Sequence, residues 1–351
     1  MTTRGHGRER GRGEAREPAL SEDDLVRRIR AAAAADRDGV RVGIGDDCAV
    51  LEPTPGARLV ATTDLLIEDV HFRRRYAEAA DIGWKSLAVN VSDIAAMGGR
   101  SRWALVALAC PAATTPDEID AFYEGALALG REHGVAIVGG DTSASPGGWF
   151  VNVTLLGEAT RVLLRSTARP GDVIAVTGTL GRSAAGLAVL ERDHAPAGLD
   201  AATLAEVTAA HLRPRPRAAE GRWLGGDNGV SAMMDLSDGL AIDLPRLCAA
   251  SGVGATVEVD AVPIGAATRR VASALGRDAL GWATGGGEDY ELLVACAPEA
   301  FSRLAGGLAE ATGTMVTRVG TFEPPGRVRF VDARGRDVEV ARGFEHFVTG
   351  R

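Results

Sequence analysis

Three observations predict a mixed α and β fold in two domains. The 351 residues exceed what one hydrophobic core usually organises. Short apolar runs of strand length interleave with longer segments of helical period in both halves. The pattern also restarts at Arg169-Pro170-Gly171-Asp172, which sets a domain boundary close to residue 160. The expected division is a disordered tail over 1–18, an N-terminal domain over 19–160 and a C-terminal domain over 161–351.

Each element has a local reason. Ser21-Glu22-Asp23-Asp24 followed by Leu25, Ile29 and Ala33 reads as a capped amphipathic helix. Strands are expected from Val40 to Ile44, ending in Gly45-Asp46-Asp47, and from Arg58 to Ala61, ending in Thr62-Thr63-Asp64. Asp81 to Met97 has helical period and stops at Gly98-Gly99. Trp103 to Ala109 is a strand, and Pro116 to His133 is a helix with Asp117 and Glu118 where the helix dipole favours them. Val135 to Val138 is a strand ending in Gly139-Gly140-Asp141, and Phe150 to Leu156 is another. After the restart come a strand over Val173 to Val176, a turn to Gly181, a helix over Ser183 to Glu191 and an exposed loop over Asp193 to Asp200. Arg213-Pro214-Arg215-Pro216-Arg217 reads as a solvated, extended turn. A strand over Val230 to Met234 ends at Asp235, a helix runs from Leu236 to Ala250, and strands follow at Thr256–Val259, Tyr290–Cys296, Val316–Thr321 and Val328–Val331.

Composition excludes several classes. Hydrophobic residues at 46% and charged residues at 25% are ordinary globular values. No apolar run approaches the roughly eighteen residues of a membrane span. Met1 to Pro18 lacks the apolar stretch of a secretory signal. A net charge of -8 disfavours nucleic acid as a partner. Cys48, Cys110, Cys248 and Cys296 form no CxxC pair, so neither a zinc site nor a disulfide framework is expected and a reducing cytoplasm fits; Cys48 reads first as a small buried residue. Lys85 is the only lysine, and no Gly-Lys-Ser/Thr exists, so ATP binding would have to proceed without a P-loop.

The chemistry resides in a recurrence of aspartates where strands are expected to end: Asp46 and Asp47, Asp64, Asp141, and Asp235 with Asp238. One such residue is first a turn former or helix cap. The set in an acidic chain with a single lysine asks for another source of positive charge. Asp93 stands apart, inside an almost uncharged helix, sharing a face with Asn90 and Met97, and as a partly buried carboxylate it requires a cation or several donors. Oxygen ligands without Cys or His spacing point to Mg²⁺. Because Mg²⁺ takes only one or two carboxylates and completes its shell with phosphate and water, the metal in turn suggests a phosphorylated substrate. Gly139-Gly140-Asp141-Thr142, Gly178 with Gly181, and Gly285-Gly286-Gly287-Glu288 could let backbone N–H groups approach phosphate oxygens. Ser183 lacks a nucleophile elbow.

In order and spacing, the chain resembles the thiamine-monophosphate kinase family, within the aminoimidazole ribonucleotide synthetase superfamily. The residues that carry the resemblance are Gly43-Ile-Gly-Asp-Asp-Cys-Ala-Val, Thr62-Thr-Asp, His71-Phe, Lys85-Ser-Leu-Ala-Val-Asn-Val-Ser-Asp-Ile-Ala-Ala-Met-Gly, Gly139-Gly-Asp-Thr, Met234-Asp-Leu-Ser-Asp-Gly-Leu, Gly286-Gly-Glu-Asp-Tyr-Glu-Leu and Gly343-Phe-Glu-His-Phe. The resemblance implies the two-domain fold of that superfamily, a homodimer paired through its N-terminal domains, and magnesium-dependent phosphorylation of thiamine monophosphate by ATP. It implies Asp46, Thr62, Thr63, Asp64, Asp93, Asp141, Asp235 and Asp238 as holders of several Mg²⁺ ions. Tyr123, Gly140, Asp141, Arg165 and Ser237 are implied at ATP, and His71, Glu288 and Phe344 at thiamine monophosphate. Without it, His71 would be a half-exposed loop histidine and Arg165 a surface arginine. The acceptor, a phosphate monoester with a second pKa of about 6, needs no strong general base. Catalysis would therefore rest on positioning and on screening two anions from one another. The related selenophosphate enzymes would call for a reactive Cys near a Gly-rich N-terminus, and none precedes Cys48. A catalytically silent nucleotide sensor on the same fold is the other class considered.

Overall fold

The structure is a computed structural model, and it describes residues 22–33, 38–341 and 343. The elements of the first half are α1 (Glu22–Ala32), β1 (Val40–Val42), β2 (Val50–Leu51), β3 (Arg58–Ile67), α2 (Ala79–Ala96), β4 (Arg100–Pro111), α3 (Pro116–His133), β5 (Ala136–Ser145) and β6 (Phe150–Ala159). The second half holds β7 (Val173–Thr177), α4 (Arg182–Leu190), α5 (Ala201–Leu212), α6 (Ala218–Gly225), β8 (Val230–Asp235), α7 (Leu240–Ser251), β9 (Gly254–Glu258), α8 (Ala266–Leu275), α9 (Ala279–Gly285), β10 (Leu292–Cys296), α10 (Pro298–Thr312), β11 (Val316–Glu323) and β12 (Val328–Val331). Both halves are mixed α and β, as the sequence predicts. The tail over 1–18 lies outside the described residues.

A four-stranded sheet in the order β3-β6-β4-β5 organises the first half. Helices α2 and α3 cover one face. On the other, Leu59, Leu65, Leu105 and Phe150 are exposed. Helix α3 starts at a capping box, Thr115 Oγ1 accepting from Glu118 N at 3.3 Å while Glu118 Oε2 accepts from Thr115 N at 2.8 Å, and stops at left-handed Gly134. Helix α2 is buried on nearly its whole circumference, including Lys85, Ser86, Asn90 and Ser92. A helix so covered must be enclosed by packed elements. It lies between the first sheet, α3, and the β8 and α6 region of the second half.

The second half carries a six-stranded sheet, β12-β9-β11-β7-β10-β8, antiparallel except for the β12–β9 pair. Strands β7 and β10 are buried throughout because both faces are covered. Ile174 and Val176 pack with Leu240, Leu244 and Leu247 of α7, and Val173 and Ala175 pack with Leu224, Leu304 and Leu308 of α6 and α10.

Several expectations change. Strands β3 and β5 do not end before their aspartates: β3 stays paired with β6 from Arg58 to Ile67 and β5 with β4 as far as Ser145, so Asp64 and Asp141 are mid-strand residues. The open sheet face tolerates Thr63 and Asp141, whereas Thr62 and Asp64 face α2, where Thr62 hydrogen-bonds Asp93. Cys48 is exposed rather than buried. The run from Arg213 to Arg217 is no solvated turn. Arg213 Nε donates to Asp81 Oδ1 at 2.5 Å, the Pro214 carbonyl accepts from Trp84 Nε1 at 2.8 Å, and Arg217 makes a two-pronged contact with buried Glu291 at 2.6 and 2.7 Å. The run is therefore a strap from α2 to the second sheet. Helices α5, α8, α9 and α10 go unanticipated. No helix among the described residues is long and apolar enough to cross a membrane.

Candidate functional site

The site forms where α2 meets both halves. Asp93 leans toward β3, and Thr62 Oγ1 donates a hydrogen bond to its Oδ2. One residue earlier on the helix, Ser92 Oγ donates to Asp235 Oδ2 at 2.6 Å, reaching the end of β8. Asp64 stands two residues beyond Thr62, on the same face of β3. Together these place Thr62, Asp64, Asp93 and Asp235 around one junction. Their electrostatics agree: burial and the neighbouring Asp93 push the Asp64 carboxyl up to about 7. Burial also raises Asp93, although Thr62 and Arg165 act against it. Asp235 is pushed up to about 8 by burial and by Asp93, with Asp243 and Asp64 adding to this against the Ser92 hydrogen bond. Arg165, itself exposed, is thus near enough to Asp93 to act on its carboxyl.

The other expected ligands sit elsewhere. Thr63 points to the open face of the sheet, with Asn152 and Thr154. Asp141 is exposed, and its backbone row runs through Ala107 and Asn152 to Leu65, again on the open face. With β3 and β5 at opposite edges of the sheet, Asp64 and Asp141 stand three strand spacings apart, about 14 Å. Gly140 is required as glycine: at φ 153, a Cβ would lie 1.8 Å from the Val106 carbonyl. Asp46 is exposed beyond β1, its Oδ1 accepting from Asp47 N at 2.8 Å. Asp238 is paired with Arg246. Tyr123 is buried in the N-terminal core beside Phe122.

The loop after α9 lies against the end of β8. Glu288 N donates to the Ser237 carbonyl at 2.7 Å, and Tyr290 N to the Leu236 carbonyl at 2.9 Å. This brings Ser237 and Glu288 beside Asp235. Glu288 is held from two sides, by Lys85 Nζ at 2.8 Å and His211 Nδ1 at 3.2 Å. Burial would raise its carboxyl, but Lys85 and His211, with His71 adding, hold it below the usual range. His71 is half-buried; its Nδ1 accepts from Ile67 N at 3.0 Å, and its carbonyl accepts from Lys85 Nζ at 3.1 Å. Both His71 and Glu288 therefore flank one ammonium. Phe344 lies outside the described residues.

Sequence reasoning misses Lys85, His211 and Asp289. His211 is buried, with Nδ1 3.0 Å from Ser183 Oγ. Since Ser183 and Glu288 meet the same ring nitrogen, this is no hydrolase triad, in which base and orienting acid use opposite nitrogens. The Asp289 carboxylate accepts from Gly181 N at 2.5 Å and Ser183 N at 3.1 Å, at the start of α4. Burial nevertheless pushes it up to about 7. The one available signal was the sole lysine of the chain inside an apolar helix.

The donors fit a hard cation: Thr62, Asp64, Asp93 and Asp235 offer only oxygen, and burial with mutual repulsion disfavours the carboxylate charge that a cation would stabilise. Among the described residues no three His, Cys, Asp or Glu side chains gather as a self-sufficient metal cage.

Two family models match the chain: AIR synthase related protein, N-terminal domain, over residues 45–159, and AIR synthase related protein, C-terminal domain, over 169–333. The thiamine-monophosphate kinase of Rhodopirellula baltica is 38% identical over 290 residues, 80% of this chain and 83% of the relative. The crystal structure of the thiamine-monophosphate kinase from Stenotrophomonas maltophilia superposes with a TM-score of 0.79 at 38% identity, covering 91% of this chain and 98% of that one. AaThiL complexed with AMPPCP and TMP superposes with a TM-score of 0.74 at 30% identity, covering 96% and 100%. Matched over both halves and over most of its relatives' length, the chain belongs to the thiamine-monophosphate kinase family.

Proposed function

We propose that this chain transfers the γ-phosphoryl group of ATP to the phosphate of thiamine monophosphate, giving thiamine diphosphate and ADP. The observation that carries the reading is the buried carboxylate junction, with Asp64 and Asp93 from one half meeting Asp235 from the other beside His71 and Glu288. The nucleotide analogue and TMP held by AaThiL agree with it.

Asp64, Asp93 and Asp235, with Thr62, would hold Mg²⁺, and Asp46, Thr63, Asp141 and Asp238 are the further candidate ligands. Bound there, the metal would neutralise the triphosphate and reduce its repulsion of the acceptor. Ser92 and Thr62 fix two of the carboxylates by direct hydrogen bonds, so the junction is oriented before any ligand arrives. Arg165 would supply a cation near Asp93, and Tyr123, Gly140, Asp141 and Ser237 are the further residues assigned to ATP. His71, Glu288 and Phe344 are assigned to thiamine monophosphate. No side chain is asked to form a covalent intermediate, because a phosphate dianion is already a competent nucleophile.

The reading includes a homodimer. Packing two open sheet faces together would cover Leu59, Leu65, Leu105 and Phe150, and it would give Thr63 and Asp141 a second copy to face. The domain division near residue 160 and a cytoplasmic setting, in keeping with four free cysteines, belong to the same reading. The test is incubation with ATP, Mg²⁺ and thiamine monophosphate, followed by chromatography. Equimolar thiamine diphosphate and ADP are expected; ADP without thiamine diphosphate, or no turnover, refutes the reading.

A further inference from the structure

Among the described residues, three non-glycine residues hold left-handed backbone: Asp69 at φ 66, Glu288 at φ 65 and Tyr290 at φ 50. Such residues persist only where surrounding contacts enforce them. They fall in two turns, one carrying His71 and the other Glu288, contributed by opposite halves. The two turns share a hydrogen-bonding partner. Lys85, 3% exposed on α2, donates to the His71 carbonyl at 3.1 Å and to Glu288 Oε1 at 2.8 Å.

A buried ammonium is costly unless paired, and an aliphatic residue would serve a purely structural helix position at less cost. Met at this position would fill similar volume. What only the ammonium provides is a tie between two strained turns. We infer that Lys85 is a positioning residue for the acceptor side of the site: it sets the distance between His71 and Glu288, and hence the fit of thiamine monophosphate, without touching the substrate itself. The inference rests on the assignment of those two residues to that substrate. It also predicts a division of labour along α2, with Lys85 serving the acceptor and Asp93, two turns away, serving the nucleotide.

The test is a double-mutant cycle with Lys85→Met, Glu288→Gln and both together, reading KM for thiamine monophosphate and for ATP separately, with melting temperatures alongside. Lys85→Met should raise KM for thiamine monophosphate about tenfold or more and leave KM for ATP within about twofold. Since the tie breaks from either end, the double variant should be no worse than Glu288→Gln alone. An unchanged KM for thiamine monophosphate in Lys85→Met, equal rises in both KM values, or full additivity overturns the inference. Should Lys85→Met fail to fold because Glu288 is left unpaired, the double variant removes both charges. Its KM for thiamine monophosphate must then match that of Glu288→Gln, and a further rise overturns the inference. A wild type that makes no thiamine diphosphate refutes the underlying function instead, so the two failures are distinguishable.

Discussion

Replacing Asp64 by Asn should separate stability from function. Burial and Asp93 raise its carboxyl from 3.8 to about 7. The sign follows from linkage: a folded-state value above the unfolded one means stability that is full below pH 3.8 and is lost as pH rises through about 7. Each unit is worth about 1.4 kcal/mol, which sets a ceiling near 4 kcal/mol; since the side chain is only partly buried, about 2 kcal/mol is the working figure. Asn has the shape of the protonated acid and no charge to desolvate. In EDTA, Asp64→Asn should therefore match the wild type at about pH 3, below the unfolded value, and exceed it by about 2 kcal/mol at about pH 8, while turnover falls by about two orders of magnitude or more. Urea midpoints at the two pH values, with and without Mg²⁺, give the answer. Mg²⁺ should raise the wild-type midpoint at pH 8 and move the variant much less. Equal stability changes at both pH values, or wild-type turnover in the variant, would refute the argument that the junction is an electrostatically strained site relieved by a cation.

Burial, with Lys85 adding, lowers His211 to about 4, so its contribution is present above pH 6.5 and is lost as pH falls through about 4. His211→Gln should remove about 3 kcal/mol of acid sensitivity between those values, seen in a pH series of urea midpoints. Gly140→Ala should destabilise by about 3 kcal/mol, because β5 must move away from β4 to admit the methyl group; the denaturant midpoint checks it. Leu65→Arg on the open sheet face should convert a dimer to monomer in light scattering without changing the far-ultraviolet circular dichroism.

Local patterns carried much of the fold. Helix α3 is readable from its cap, its proline and its acidic first turn, and it spans the expected Pro116–His133. Polar strands were harder. The Thr62-Thr63-Asp64 run looks like a strand end only until β6 supplies partners for all ten residues of β3, and nothing near Asp64 encodes that pairing. The site shows the same division. The aspartates themselves were legible as an excess of oxygen ligands, and Asp93 as a charge misplaced in an apolar helix. The Ser92 hydrogen bond to Asp235 spans 143 residues and has no local signature. Nor does the pairing of Asp238 with Arg246, which gives one expected metal ligand a cation from its own neighbourhood.

Helix α2 has a mechanical consequence. Trp84 to Pro214, Lys85 to Glu288 and Ser92 to Asp235 are three crossings spread over about 12 Å of helix axis. Gly221 and Gly98 add backbone approaches so close that a methyl group on either would meet the opposite half, at 2.2 Å from the Ala95 carbonyl and 2.9 Å from Gly225. A clamshell opening would stretch every crossing at once, and sliding would drive backbone into backbone. Ligand traffic is thereby assigned to the short turns around the junction, and the two halves behave as one rigid jaw whose bite is set when the chain folds.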